Sequence, residues 1–157
     1  MRKGMIAPAR EARWPAGEDW MDLDRLARVE ITSETAERPI ESALLPGDGP
    51  GWRAAQPGEQ TIRLLFDEPQ RLRRIRLLYH EDAQERTQEF LLRWSADGGR
   101  SYREIVRQQF NFSPVGTTRE IEDYGVNLDG VTVLELKIVP DISGGSACAT
   151  LERLQLA

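Results

Sequence analysis

The hydrophobic residues of this chain recur with a period of two, and no stretch carries the 3.6-residue period of a long amphipathic helix. Val29 and Ile31 alternate with Glu30 and Thr32, and Ile62, Leu64 and Phe66 with Arg63 and Leu65. Ile75, Leu77 and Tyr79 alternate with Arg74, Arg76, Leu78 and His80, and Phe90, Leu92 and Trp94 with Leu91, Arg93 and Ser95. Residues 102–110, 131–139 and 150–156 are further β-rich runs. Successive side chains of a strand point to opposite faces, so each run predicts a strand with one face in a core. In Thr132-Val133-Leu134-Glu135-Leu136 both registers are largely apolar, which predicts a central strand covered on both faces.

The punctuation between these runs agrees. Asp97-Gly98-Gly99 supplies the positive-φ residues of a tight hairpin, and Asp67-Glu68-Pro69, Asn127-Leu128-Asp129-Gly130 and Ser143-Gly144-Gly145 predict further turns. Closely spaced strands without long helices between them argue for an all-β, antiparallel jelly-roll sandwich of about eight strands, and against βαβ units. Residues 1–24 predict an irregular leader, loose or packed on the domain, and residues 25–157 the folded domain. Within the leader, Asp19 to Arg28 predicts one helical turn with Asp19 as N-cap. Trp14 and Trp20 would either pack on the domain's own surface or anchor a partner.

Composition narrows the function. Twenty-six Asp and Glu against 21 Lys and Arg give a net charge of -5, which argues against a nucleic-acid or anionic-membrane binder. No apolar run approaches the roughly 18 residues of a membrane-spanning helix. Cys148 is the single cysteine, which excludes an internal disulfide, and His80 is the single histidine. The first residues lack a signal-peptide pattern, so the expectation is a cytoplasmic protein. There is no G-x-S-x-G elbow and no phosphate loop, and the paired carboxylates Glu81 and Asp82 stand in a loop. The expectation is therefore that the chain is not an enzyme.

The order of the pieces adds a resemblance. The strand at Ile31-Thr32-Ser33-Glu34 is followed by a loop from Glu41 through Leu45-Pro46-Gly47-Asp48 to Trp52-Arg53. A mid-chain Trp94-Ser95-Ala96-Asp97-Gly98-Gly99 hairpin follows, and the chain closes on Thr150-Leu151-Glu152-Arg153-Leu154. This resembles the discoidin, or coagulation factor 5/8 C-type, domains of the galactose-binding-domain-like superfamily over residues 27–157. The resemblance implies an eight-stranded jelly roll that binds sugars, phospholipid headgroups or proteins through loops at one end. It implies either a structural calcium held by Asp48 and Glu152 or a loop that closes without metal. The acid of the usual Asp-Gly is displaced here, because Leu45-Pro46-Gly47-Asp48 stands in its place.

Within that frame Trp52 and Arg53 would stack on a sugar ring and donate to its hydroxyls, or Trp52 would plug the end of the sandwich. His80 would donate to a ligand or sit in a solvated loop. Gln109, Asn111 and Arg119 are further candidates, since amides both donate and accept as sugar hydroxyls do. The arginines 71, 73, 74 and 76 predict a solvated sheet face. The functional expectation is a non-catalytic module for a carbohydrate or polyol. The alternative is an intracellular protein–protein interaction domain.

Overall fold

The computed structural model describes residues 19–114 and 116–157. Its strands are β1 (Ala27–Ile31), β2 (Trp52–Pro57), β3 (Gln60–His80), β4 (Arg86–Ser95), β5 (Arg103–Phe112), β6 (Arg119–Val139), β7 (Cys148–Leu151) and β8 (Arg153–Leu156). Single helical turns, α1 (Leu23–Leu26) and α2 (Glu41–Leu44), precede β1 and β2. Every pairing is antiparallel. One ladder runs β1–β3–β6–β4–β5 with β8 also on β3, and β2 pairs with β7 in a separate ribbon.

β3 and β6 are each 21 residues long and pair from Gln60 opposite Ile138 to His80 opposite Arg119. The sequence predicts turns at Asp67-Glu68-Pro69 and at Asn127-Leu128-Asp129-Gly130, yet both strands run through. The register shifts there instead, with Gln70 opposite Val131. Pro69 has no N–H for a ladder, and Gly130 takes φ +72°. Two turn signals facing each other in neighbouring strands bend the ribbon together instead of reversing either chain.

The bend makes the sandwich. The halves of the ladder fold over each other, so that Tyr79, late in β3, brings its ring within 5.4 Å of Phe90 on β4. The core takes Ile62 and Leu64 from one half of β3 and Ile75 and Leu77 from the other. Strands that pass between sheets through a bend are how such sandwiches turn their corners.

Several local expectations are corrected. The first helical turn spans only Leu23–Leu26, with Asp22 rather than Asp19 at the N-cap, because residues 27–31 are already paired with β3. The run 150–156 is two strands broken at Glu152. Arg74 is not on a solvated face: its guanidinium is bonded to both carboxylate oxygens of Asp123 and lies 4.8 Å from the Trp20 ring, leaving it 8% exposed. Trp20 thus packs on the domain, and Met21 N–H donates to Leu156 O at 2.8 Å. Trp14 lies outside the described residues. Cys148 is partly buried.

Candidate functional site

The topology gathers polar residues from distant parts of the chain at one end of the sandwich. His80 ends β3 directly opposite Arg119, which begins β6. Arg53 stands opposite Thr150 in the β2–β7 ribbon, and the Thr150 hydroxyl donates to His80 O at 3.2 Å. Glu152, at the break between β7 and β8, meets Arg119 at 3.5 Å, and its N–H donates to Leu78 O. Arg38 joins them: its carbonyl accepts from Arg53 N–H at 3.1 Å. Burial and then the Arg53 guanidinium lower the Arg38 pKa, while Glu152, Asp82 and Glu81 act in the opposite sense. Arg53, His80 and Arg119, read separately from the sequence, therefore meet. Arg38 was missed, because nothing near it in the chain marks it.

The carboxylates make this end two-signed. Asp82 lies 3.5 Å from His80 Nε2. Glu81 is anchored by Arg86, whose Nε donates to it at 2.8 Å, and Glu81 N–H donates to Thr118 O at 2.8 Å. That tie holds the 81–85 loop against the turn before β6. His80 Nδ1 and Glu152 Oε2 are shielded from water and have no hydrogen-bond partner among the described residues. Unsatisfied buried polar atoms are rare in native folds, and each costs free energy until something completes it.

Gly51 fixes the geometry. It has φ +90°, and a Cβ there would lie 2.5 Å from Glu152 Cα and from Leu151 O. Only glycine lets the start of β2 pass this close to the β7–β8 corner. Trp52 follows it into the core, with no exposed surface and its Nε1 donating to Ser33 O at 2.9 Å. The expectation that Trp52 stacks on a ligand is thereby corrected: its ring plugs the sandwich, because burying its large apolar area outweighs display.

Gln109 and Asn111 lie elsewhere, on the outward register of edge strand β5. Phe110 and Phe112 turn inward, their rings 5.0 Å apart. Asn111 accepts from the Thr87 hydroxyl and borders a separate depression of about 320 Å³, lined also by Arg86, Ser113 and Asp141. Gln109 faces Glu89 across the β4–β5 pair. A groove of about 570 Å³ between Trp20 and the 44–47 loop is lined by none of these candidates.

Asp48 is exposed, while Glu152 turns to Arg119. No three His, Cys, Asp or Glu side chains are grouped to hold a metal among the described residues. The loop that carries Asp48 presents carbonyls of Ser42, Leu45, Gly47 and Gly49 to Arg153.

No family model and no curated protein sequence matches this chain. Solved structures do match. The third family 32 carbohydrate-binding module of a Clostridium perfringens family 31 glycoside hydrolase aligns with a TM-score of 0.64 at 16% identity, covering 88% of this chain and 94% of that one. The family 32 module of C. perfringens NanJ, solved with galactose, aligns at 0.61 and 10% identity over 83% and 92%. A pectin-binding module aligns at 0.60 and 15% identity over 84% and 90%. At this identity the likeness concerns the backbone, and the chain has the discoidin-like, galactose-binding-domain-like β-sandwich fold of the family 32 carbohydrate-binding modules.

Proposed function

We propose that this protein is a non-catalytic carbohydrate-binding module whose site is the end formed by Arg38, Arg53, His80, Arg119 and Glu152. The observation that carries the reading is the meeting of Arg53, His80 and Arg119, with Glu152 among them, from four separate strand ends. Guanidinium and imidazole groups donate to hydroxyls and carboxylates, and the carboxylates accept from hydroxyls. With Trp52 turned inward, recognition rests on hydrogen bonds and charge rather than on ring stacking. Three guanidiniums support a sugar that bears a carboxylate. Structural neighbours include a pectin-binding module and a family 32 module solved with 4,5-unsaturated mannuronic acid. A ligand hydroxyl that draws out His80 or Glu152 would also complete their unpartnered atoms.

The test is a thermal-shift and calorimetric screen against neutral and acidic sugars. A ligand at about 100 times its Kd raises stability by about 2.7 kcal/mol, which a melting curve resolves readily. Arg53→Ala and Arg119→Ala are each expected to weaken binding about tenfold or more, the cost of one charge-assisted hydrogen bond. Asn111→Ala is expected to leave binding unchanged. Silence with every sugar, or binding that survives both arginine variants, refutes the site and leaves a protein partner as the reading to pursue.

A further inference from the structure

The chain leaving α2 turns a set of backbone carbonyls toward a single side chain. Arg153 Nη1 donates to Ser42 O at 2.8 Å and to Leu45 O at 3.3 Å. Its Nη2 donates to Gly47 O at 2.7 Å and, more loosely, to Gly49 O at 3.5 Å. Carbonyls at the end of a helical turn lack partners within it, and a cluster of them is a site for a cation. A planar guanidinium with several fixed donors can serve many acceptors at once.

We propose that Arg153 is the resident cation of the 42–49 loop, a covalently attached counterpart of the calcium that the resemblance implies there. The domain therefore holds this loop, and folds, without metal. Calcium needs six to eight oxygens at about 2.3–2.6 Å, carboxylates prominent among them. Four carbonyls here already face a positive charge, Asp48 is exposed, and Glu152 meets Arg119 through one oxygen at 3.5 Å. A divalent ion would have to displace the guanidinium and recruit both carboxylates. Residue order accomplishes the exchange: Glu152 sits at the break between β7 and β8 and serves the ligand end, while Arg153, opposite Leu78 at the start of β8, serves the loop.

The experiment combines calcium titration with hydrogen–deuterium exchange on the whole chain. For the unaltered protein, the melting temperature is expected to be the same in calcium and in chelator. In Arg153→Ala, exchange across residues 42–51 is expected to accelerate about tenfold or more, since charge-assisted bonds are lost. Arg153→Lys, which keeps the charge and should fold if the alanine variant does not, is expected to recover part of the protection. A calcium response that emerges only in Arg153→Ala also supports the proposal, because the vacated carbonyls then take an ion. A calcium-dependent rise in the unaltered protein that Asp48→Ala or Glu152→Ala abolishes overturns it. So does unchanged exchange in Arg153→Ala. Neither arm depends on a sugar, so failure here is distinct from failure of the binding reading.

Discussion

Two glutamates on β6 are equally hidden from water and have opposite fates. Glu135, 0% exposed, accepts from Arg93 Nε at 2.6 Å and from Arg63 Nε at 2.9 Å. Burial alone would raise its pKa, but those two guanidiniums hold it below the ordinary carboxylate range. Arg63 reaches on to Glu30, and Arg93 stacks 4.0 Å from the Tyr102 ring centroid. Glu120, 1% exposed, has one amide donor, Gln88 at 3.2 Å, and its second oxygen has no partner among the described residues. Burial and the neighbouring Glu122 push its pKa up to about 8. Tyr79, paired opposite it, is likewise buried with an unpartnered hydroxyl.

The difference follows position. Glu135 sits mid-ladder between β3 and β4, where two guanidiniums complete its bonds. Glu120 lies beneath the candidate site, next to Arg119 and across from the residue before His80. Where two carboxylates are similarly hidden from water, their partners set the difference in charge. Glu135 is fully matched in the middle of the ladder, and Glu120 is left short beneath the end where a ligand is proposed to bind.

The largest effect expected from breaking this contrast is that of Glu135→Ala. Removing one partner of a shielded ion pair costs about 3 kcal/mol, readable as a lower urea midpoint at unchanged m-value. A loss below about 1 kcal/mol would mean that the arginines are as well served by water. Next is Glu120→Gln. The folded-state pKa is raised above the ordinary 4.5, so the folded protein binds the extra proton and stability falls as pH climbs from 4.5 to about 8. The variant is expected to flatten that slope and to be more stable than the unaltered protein at pH 8. Urea melts at several pH values check it, and an unchanged slope would assign the proton elsewhere. The smallest effect is that of Arg93→Lys, which keeps the charge but loses the planar fork and the Tyr102 contact, at about 1 kcal/mol.

The inverted register of early β6 also explains what the sequence hid. Strands with apolar residues inward, such as residues 62–66 and 90–94, are legible from alternation. Residues 119–123 are not, because Glu120 and Glu122 face inward and Ile121 is 54% exposed, whereas Tyr124, Val126 and Leu128 return to an apolar inner register. A short stretch whose polar side is the inner one gives the opposite signal. The hairpin at Asp97 is legible because its chemistry is local: Asp97 accepts from the Ser101 and Ser95 hydroxyls, which lower its pKa. The candidate site is legible residue by residue but not as a set. Arg53 and His80 were picked as loop-end polar groups, whereas their meeting with Arg38 and Glu152 depends on the bend that no single segment encodes. Trp52 stays open to both readings in the sequence, because an aromatic beside a glycine-rich loop reads the same whether it faces in or out, and the structure has it as the plug.

The long pairing of β3 with β6 also bears on how the chain reaches this state. Gln60 must find Ile138, and β6 is the only neighbour that β3 and β4 share among the described strands. Contacts so remote in sequence raise the contact order and place folding on the order of milliseconds to seconds. During synthesis, β4 can pair with β5, but it has no link to β3 until β6 has left the ribosome. For that interval the nascent domain carries open strand edges, the period in which a chaperone or a neighbouring chain would most readily capture it.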